Sequence, residues 1–476
     1  MTYLVDVLYI FAFALFIYGL MGLTGPKTAV RGNWIAAVGM GIAVVATLIK
    51  VRDTAAINWI LIIAGLAIGV ILGVPPAKKT KMTAMPQLVA LFNGVGGGTV
   101  ALIAWAEFIE TKGFSYFKPE QSPTVALVAG SLFAAIIGSV SFWGSLVAFA
   151  KLQENIIPRG VEKAFVKGAK IFQAANIVLL LAAVATAVYI GLNKGLSVWW
   201  IVLVLVLAGL MGLFVVFPIG GADMPVVISL LNALTGLSAA AAGLALNNTA
   251  MIVAGMIVGA SGSILTNLMA VAMNRSIPAI VFGSFGGTDA VGGPAGADQG
   301  PVKATSAADA AIQMAYANQV IVVPGYGLAV AQAQHAVKEM ADLLEEKGVE
   351  VKFAIHPVAG RMPGHMNVLL AEADVDYDAM KEMDDINGEF PRTDVTMVIG
   401  ANDVTNPAAR NDPSSPIYGM PILNVDQSRS VIVLKRSMSS GYAGIENPLF
   451  FGPTTSMLFG DAKKSVGEVI EELKAL

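Results

Sequence analysis

Long apolar runs separated by short polar joints occupy the first 275 residues, and the mixed pattern of a water-soluble domain begins only later. A helix that spans a bilayer needs about 20 mainly apolar residues. Nine runs are long enough, at residues 4–23, 33–50, 56–74, 87–107, 124–150, 171–192, 197–217, 224–246 and 249–272. The pattern therefore predicts a membrane all-α bundle of about nine transmembrane helices.

The joints between these spans differ in positive charge. Because nine is an odd number, the two ends of the bundle face opposite sides of the bilayer. Eleven Lys and Arg residues lie in joints on the side of the C-terminal domain, and five lie on the other side. Cytoplasmic loops carry the excess of positive charge. We therefore expect a multi-pass protein whose C-terminal domain is cytoplasmic, or in the matrix if the membrane belonged to an organelle. Of the two, we expect the inner (plasma) membrane of a bacterium. The first run lacks a basic n-region and a cleavage site, so we expect it to be retained.

Strand and helix patterns alternate in the C-terminal part. Strands are predicted at residues 320–323, 350–355, 395–399 and 430–434. Helices are predicted at residues 328–347, 366–373, 377–386 and 462–475. This alternation is typical of a soluble α/β doubly wound parallel sheet, a Rossmann-like domain. Residues 276–306 are too weakly hydrophobic to pack, so we expect a linker there. The predicted domains are thus 1–275, 276–306 and 307–476.

Composition supports this division and excludes several kinds of chemistry. Of the 476 residues, 56% are hydrophobic and only 13% are charged, whereas soluble domains average about 25% charged residues. The absence of cysteine excludes disulfides, Fe–S clusters, thiolate zinc sites and cysteine nucleophiles. We expect no metal site. The net charge of −3 gives no indication of a nucleic-acid partner.

Polar side chains inside the spans are candidates for a path through the membrane. A buried amide in hydrocarbon costs several kcal/mol unless it is paired. Hydrogen bonding between helices is therefore the alternative for each of the five candidates, which are Asn93, Ser139, Ser141, Asn232 and Asn248. Small residues at 93–99, 239–243 and 255–259 let helix backbones approach closely, so tight packing is the simpler interpretation of these glycines.

A glycine turn follows the first predicted strand of the soluble domain. The order is Val320 to Val323, then Gly325-Tyr326-Gly327, with Val330 at the third motif position instead of Gly or Ala. Gly325 permits a tight exit from the strand, and Gly327 lets backbone N–H groups approach a pyrophosphate. A strand before the turn and a helix after it favour a dinucleotide site.

The choice of dinucleotide depends on the next strand. An NAD site usually has Asp or Glu at its end to bind the ribose 2′-hydroxyl, but here the strand is followed by His356 and Pro357. Lys435, Arg436 and Ser437 follow the strand at 430–434 and supply two cations and a hydroxyl, which suit a phosphate monoester. The sequence therefore favours NADP(H), although a solvated strand end would also explain the cluster.

Eight motifs, together with the nine spans, resemble those of the beta subunit of proton-translocating NAD(P) transhydrogenase. The resemblance covers essentially the whole chain. The motifs are Gly220–Pro225, Met273–Ser276, Pro324–Gly327, His356–Gly364, Gly400–Asp403, Lys435–Met438, Gly441-Tyr442 and Gly460–Lys463.

The resemblance implies an enzyme that moves hydride from NADH to NADP+ while a proton passes inward across the membrane. The beta subunit would bind NADP(H). A partner alpha subunit, in one chain or two, would bind NAD(H) and add further spans, and the assembly would be a dimer of alpha-beta units. Such a chain is active only with its alpha partner.

The resemblance also assigns the nucleotide-binding residues. The pyrophosphate would lie along Gly325, Tyr326, Gly327 and Val330. The phosphates and the nicotinamide side would be approached by Val358, Ala359, Gly360, Arg361, Met362 and Pro363. The nicotinamide and pyrophosphate would be bordered by Asn402, Asp403, Val404, Thr405 and Asn406, and other parts of the nucleotide by Gly419, Met420, Asp461 and Ala462. The 2′-phosphate would be held by Lys435, Arg436 and Ser437, next to Met438. A lid would comprise Ser439, Ser440, Gly441 and Tyr442.

The resemblance finally suggests how protons are coupled to the nucleotide. Asp403 resembles the acidic residue that links protonation to NADP(H) occupancy, and an Asx-turn carboxylate is its alternative role. The proton pathway would include Asn93, Ser139, Asn248 and Asp223, the last at the junction of the membrane and soluble domains. Many members have a histidine where this chain has Asn93, and an amide cannot titrate. Our hypothesis is that Asn93, Asn248 and the span-five serines orient water, while any titrating imidazole belongs to the alpha partner.

The main alternative function is that of an NADP(H)-sensing gated ion channel or transporter, in which no hydride is transferred. The sequence lacks a Thr-Val-Gly-Tyr-Gly filter, and its spans lack the charges of a voltage sensor. A membrane-anchored scaffold is a third possibility, but it leaves the 435–437 cluster unexplained.

Overall fold

The computed structural model describes residues 2–23, 25–116, 125–153, 156–157, 168–220, 223–282, 302–362, 364–441 and 443–476. They form two compact units. The first unit comprises Met1–Pro218 and Ile228–Leu265, and the second comprises Ile219–Val227 and Thr266–Leu476. Most of the predicted linker, residues 283–301, lies outside the described residues. Ile277–Phe282, in its first part, forms a short helix.

Nine helices in the described part of the chain are long and apolar enough to cross a membrane, which confirms the nine predicted spans. They are α1 (Thr2–Gly22), α2 (Pro26–Lys50), α3 (Ala56–Lys79), α4 (Met85–Glu110), α5 (Val125–Leu152), α6 (Ala169–Leu192), α7 (Trp199–Val216), α8 (Met224–Ala245) and α9 (Thr249–Ala272). The helix Ile277–Phe282 is α10.

Glycines allow several of these helices to pack backbone to backbone. A Cβ atom added to Gly97 of α4 would lie 2.9 Å from the carbonyl oxygen of Gly138 on α5. In the same way, a Cβ atom on Gly255 of α9 would lie 2.6 Å from the carbonyl oxygen of Gly236 on α8. Small residues thus provide close helix contacts, as expected where lipid supplies no hydrophobic drive for association. In contrast, α3 buries none of its described residues.

The second unit contains a six-stranded parallel sheet with the order β3-β2-β1-β4-β5-β6. The strands are β1 (Gln319–Pro324), β2 (Glu350–Ile355), β3 (Met380–Glu382), β4 (Val395–Ile399), β5 (Ser430–Lys435) and β6 (Thr455–Phe459). Apolar residues fill β1 and β4 almost completely, as expected for central strands covered on both faces. This strand order is that of a doubly wound dinucleotide-binding sheet, which confirms the predicted fold class.

Helices connect these strands. They are α11 (Ala307–Ala315), α12 (Tyr326–Ala331), α13 (Gln334–Glu346), α14 (His365–Glu372), α15 (Met383–Ile386), α16 (Ala408–Asn411) and α17 (Ala462–Ala475). The last helix has the predicted bounds, and the side chain of Asp461 caps it by accepting from the N–H groups of Lys463 and Lys464. The predictions for β1, β2, β4 and β5 are confirmed to within one residue at each end.

Two predicted helices are wrong. The helix expected at 328–347 is divided into α12 and α13, because Gln332 is left-handed at φ 50° and the N–H of Ala333 bonds back to the carbonyl of Leu328. Val330, two residues before this break, is 47% exposed. The helix expected at 377–386 contains β3, because residues 380–382 pair with the edge of β2. Pairing in the sheet outweighs local helix propensity there.

We expect Gly255→Leu to destabilise the membrane helices by about 3 kcal/mol, because the new side chain would overlap the backbone of α8. The measurement is the thermal unfolding midpoint of the full-length chain in detergent. Gly65→Leu in α3 is the matched control, since no described atom beyond the neighbouring residues and nearby backbone of α3 lies within 4 Å of the added Cβ. An equal loss in both variants would contradict the packing argument.

Candidate functional site

Two glycine turns contact each other at the carboxyl ends of β1 and β4. The N–H of Gly325 donates to the carbonyl of Ile399 at 2.9 Å, and the N–H of Gly327 donates to that of Gly400 at 3.0 Å. A Cβ atom on Gly327 would lie 2.7 Å from the Cα of Gly400, which itself has a φ of +69°. The glycines therefore allow the two turns to pack without side chains between them. The N–H of Gly327 itself is engaged within the protein.

A cavity of about 560 Å³ lies beside these turns, at the edge of the sheet where the strand order reverses. Doubly wound sheets bind ligands at this position. Nineteen of the predicted nucleotide-binding residues line the cavity: Gly325, Tyr326, Gly327, Val330, Val358, Ala359, Gly360, Asn402, Asp403, Val404, Met420, Lys435, Arg436, Ser437, Ser439, Ser440, Gly441, Asp461 and Ala462. The structure thus brings most of the predicted set together.

Of the other eight predicted residues, six do not line this cavity and two cannot be placed. Pro363 and Tyr442 lie outside the described residues. Those placed elsewhere are Arg361, Met362, Thr405, Asn406, Gly419 and Met438. Asn406 is buried and joins two loops, because its Nδ2 donates to the carbonyl of Glu446 at 3.1 Å and its Oδ1 accepts from the N–H of Ala408. Met438 lines a smaller neighbouring cavity.

Sequence reasoning did not assign eight further lining residues. They are Met273, Ala331, Gly400, Ala401, Ile417, Leu434, Ala443 and Gly460. Met273, Gly400, Ala401 and Gly460 belong to motifs already recognised in the sequence, so their motifs could have identified them. The other four are small or apolar and carry no chemical signature, and only the fold identifies them.

Lys435 lies at the end of β5, next to the cavity. Its Nζ donates to the carbonyl of Ser439 and lies 4.6 Å from the centre of the Phe450 ring. Partial burial lowers the pKa of Lys435, and the nearby Asp403 carboxylate partly offsets this effect. Arg436 and Ser437 are exposed beside it, and Ser437 shares a hydrogen bond of 3.0 Å with Ser439. This cluster gives the cavity a cationic rim.

Asp403 connects the turn after β4 with the segment that follows Lys435. Its Oδ2 accepts from the N–H of Ala443 at 3.0 Å. Gly441 lies so close to the carboxylate that a Cβ atom at this position would collide with it. Asp403 therefore lines the cavity and also contacts Gly441 and Ala443.

The turn after β2 carries a buried histidine where an NAD site would carry an acid. His356 Nε2 is 2.8 Å from the carbonyl oxygen of Pro421, and Nδ1 accepts from the N–H of Val358 at 3.2 Å. Burial lowers the pKa of His356 to about 4. Further along, the guanidinium of Arg361 lies 4.4 Å from the centre of the Tyr326 ring. This side of the cavity therefore offers no carboxylate to a ribose 2′-hydroxyl.

A polar cluster in the first unit joins three spans. Asn93 of α4 is buried, and its Nδ2 donates to Ser145 Oγ at 2.9 Å and Ser141 Oγ at 3.4 Å on α5. Ser141 also shares a short hydrogen bond with Thr235 of α8. Hydroxyl groups therefore satisfy the Asn93 amide donor. Ser141 and Ser145 are among the span-five serines of the hypothesis, whereas the sequence had not identified Thr235.

Two other candidates in the spans lie apart from this cluster. Ser139 donates to the carbonyl of Leu205 on α7 at 2.7 Å. Asn248 lies just before α9, where its Oδ1 accepts from the N–H of Met251 as a helix cap. Roughly 15 Å of helix separates Thr235 from the last residue of α8, so the structure does not bring Asn248 to Asn93.

Asp223 and Arg275 form a buried ion pair in the second unit. Arg275 Nη1 lies 2.5 Å from Asp223 Oδ2, and the Asp223 side chain is fully buried. Arg275 also donates to the carbonyl of Ala279 in α10 at 3.1 Å. Burial raises the pKa of Asp223, and Arg275 acts in the opposite direction. The pair therefore joins the segment before α8 to the segment after α9.

Comparison with known proteins agrees with this architecture. A family model described as NAD(P) transhydrogenase beta subunit matches residues 5–472. Two relatives from Rhodospirillum rubrum, both described as NAD(P) transhydrogenase subunit beta, are 48% identical to the chain over 472 residues. The match covers 98% of this chain and 98% of each relative. The chain therefore belongs to the family of NAD(P) transhydrogenase beta subunits.

Proposed function

We propose that this chain binds NADP(H) in the cavity at the carboxyl edge of its sheet. Together with an alpha partner that holds NAD(H), it would transfer hydride from NADH to NADP+ and couple the transfer to inward proton movement. The observation that carries the proposal is the rim of Lys435, Arg436 and Ser437 on a cavity that is also lined by Val358, Ala359 and Gly360. These three residues follow a neutral histidine, His356, where an NAD site would have an acid.

The cavity fits a dinucleotide in size and chemistry. Its volume of about 560 Å³ lies within the usual range for cofactor sites, roughly 300–1,000 Å³. The contact between Gly327 and Gly400 keeps side chains out of its centre. Two cations and several hydroxyl groups are available for phosphates, which favours a nucleotide with an additional phosphate monoester.

The positions of the cations and of the turn after β2 would define the orientation of a bound NADP(H). In most doubly wound domains the adenosine ribose contacts the end of the second strand. Here the cations that suit a 2′-phosphate follow β5, on the other side of the point where strand order reverses. The adenosine end would therefore lie near β5. The nicotinamide end would lie towards Val358, Ala359 and Gly360 in the turn after β2.

The nicotinamides supply the hydride chemistry, so no side chain has to act as an acid or base in that step. The contribution of this chain would be to orient the nucleotide, exclude water and control access. Its sequence contains a single glycine turn of the dinucleotide type. A second nucleotide must therefore come from the alpha partner, and a dimer of alpha-beta units would contain two such pairs.

Proton coupling would act through conformation. Asp403 bonds to Ala443 and contacts Gly441, so a change in its protonation would alter the segment that borders the cavity. In the membrane, the Asn93 cluster would orient water, and Asp223 would transmit changes through Arg275. This arrangement requires the C-terminal domain in the bacterial cytoplasm, where both nucleotides are available.

The direct test is reconstitution of the chain with its alpha partner in vesicles. We expect NADH to reduce an NADP+ analogue, with proton movement recorded at the same time. Vesicles without the alpha partner are the control and should show no efficient hydride transfer. Intact ion flux with no hydride transfer would instead support a nucleotide-gated channel or transporter.

Lys435→Met should weaken NADPH binding by about 10- to 100-fold, since a hydrogen bond to a charged group contributes roughly 1.5–3 kcal/mol. The methionine retains most of the apolar stem. NADPH and NADH affinities would be measured by titration of the full-length chain, and only NADPH affinity should fall. The control is Lys347→Met, an exposed lysine after α13. Equal NADPH affinity in wild type and Lys435→Met would contradict the assignment.

Asn93→Ala should reduce proton-coupled turnover without changing NADPH affinity, because it removes the amide that binds Ser145 and Ser141. The measurement is proton uptake per hydride transferred in the reconstituted complex. Thr186→Ala is the control, since its hydroxyl bonds only within α6, to the carbonyl of Ala182. Unchanged coupling in Asn93→Ala would rule out this role.

A further inference from the structure

Two buried histidines stand at the ends of the turn that follows β2, residues 356–365, here called the β2 turn. His356 and His365 are each only 1% exposed. Both rings bond to the backbone of the turn through Nδ1. The N–H of Val358 donates to His356 at 3.2 Å, and the N–H of Arg361 donates to His365 at 3.0 Å.

These bonds define the protonation state of both rings. A backbone N–H can only donate, so each Nδ1 must be the acceptor and each proton must be on Nε2. In His356 that proton is donated to the carbonyl of Pro421. A charged imidazolium has no acceptor nitrogen, and it would leave the Val358 or Arg361 N–H without its partner.

His365 also determines the path of the backbone next to the cavity. Its ring lies directly against Gly360, where a Cβ atom would be 2.6 Å from the Cβ of His365. Gly360 has a φ of +108°, a value that only glycine adopts without strain. Val358, Ala359 and Gly360 line the cavity. Arg361, whose N–H is held by His365, places its guanidinium over the ring of Tyr326.

We infer that neutral His365 is a positioning residue for the nucleotide, because its Nδ1 holds the Arg361 end of the β2 turn against the cavity. The inference rests on the proposed function and assigns the ring a structural role in binding. In this role His365 accepts a hydrogen bond and carries no proton through the reaction.

The surroundings of His365 oppose its protonation. Burial is the main cause, and the charge of Arg361 adds to it, so the pKa of His365 is lowered to about 4. Tyr326 on α12 also lies near the ring, with 6.1 Å between the two ring centres. If the bond from the Arg361 N–H to His365 broke and the ring became exposed, the pKa of His365 would return towards 6.5. The state with this bond intact is therefore favoured above pH 6.5 and is progressively lost as the pH falls towards 4.

The test compares His365→Leu with His365→Asn in the full-length chain bound to its alpha partner. Leucine removes the acceptor, so we expect the NADPH dissociation constant to rise about tenfold. Asparagine can present its side-chain oxygen near the position of Nδ1, so it should restore affinity to within about threefold of wild type. His335→Asn, at an exposed position in α13, is the control and should have no effect.

The pH dependence of NADPH affinity provides a second measurement. It would not differ between wild type and His365→Asn if His365 served only to support the fold. Between pH 7.5 and 5.5, NADPH affinity should fall less in His365→Asn than in wild type, because asparagine does not titrate. Thermal midpoints of all variants show whether His365→Leu remains folded. Equal impairment by Leu and Asn, or an unchanged pH profile in Asn, would overturn the inference. Failure of wild type to bind NADPH would overturn the proposed function itself.

Discussion

The contact between two glycine turns is the constraint on which the soluble site depends. Gly325 and Gly327 after β1 bond to Ile399 at the end of β4 and to Gly400 after it, with no space for a side chain between them. This contact closes the bottom of the crevice at the point where strand order reverses. The glycines of both turns, the cations after β5 and residues 358–360 of the β2 turn all line the same cavity. These glycines are therefore needed for the packing of the two turns. In the proposed function they would also leave room for a ligand to approach the backbone.

Buried polar groups must find hydrogen-bond partners both in the membrane helices and in the soluble domain. In hydrocarbon, the Asn93 amide bonds to serine hydroxyls, and in the soluble domain two imidazoles accept backbone N–H groups. Each group would cost about 1–3 kcal/mol if it were left unpaired. In the cluster around Asn93 only amide and hydroxyl groups take part, so it can orient water but cannot gain or lose a proton near neutral pH. In the proposed function, proton exchange would therefore occur at another group.

The sequence predicted those parts of the fold that have strong local signals. The nine spans follow from length and hydropathy alone. Strands such as Val320–Val323 follow from runs of β-branched residues, and α17 follows from its cap at Asp461 and its amphipathic pattern. Elements without such signals were missed. The strand β6, with the sequence Thr-Ser-Met-Leu-Phe, exists because it pairs with β5. The break at Gln332 likewise depends on a left-handed residue that no sequence motif marks.

The site was predicted to a similar extent and for a similar reason. Residues with distinctive chemistry, such as Lys435 and Asp403, could be identified from motifs, and the structure places both at the cavity. Apolar lining residues such as Ile417 and Leu434 could not, because their role depends only on position. Sequence spacing also could not show that Asn248 caps a helix, while Thr235 on a distant part of the chain completes the Asn93 cluster.

Asp403 and Lys435 together explain how a nucleotide and a proton could influence the same segment. Lys435 bonds to the carbonyl of Ser439, and Asp403 bonds to the N–H of Ala443, so the two charges hold opposite ends of residues 439–443. The attraction between them favours the charged form of Lys435. A phosphate that engaged Lys435 would add negative charge near Asp403 and make its carboxylate easier to protonate. Protonation would in turn weaken the bond to Ala443. In the proposed function, phosphate binding at Lys435 and proton uptake at Asp403 would thus act on the same segment, one at Ser439 and the other at Ala443. No proton would have to pass from the phosphate site to Asp403.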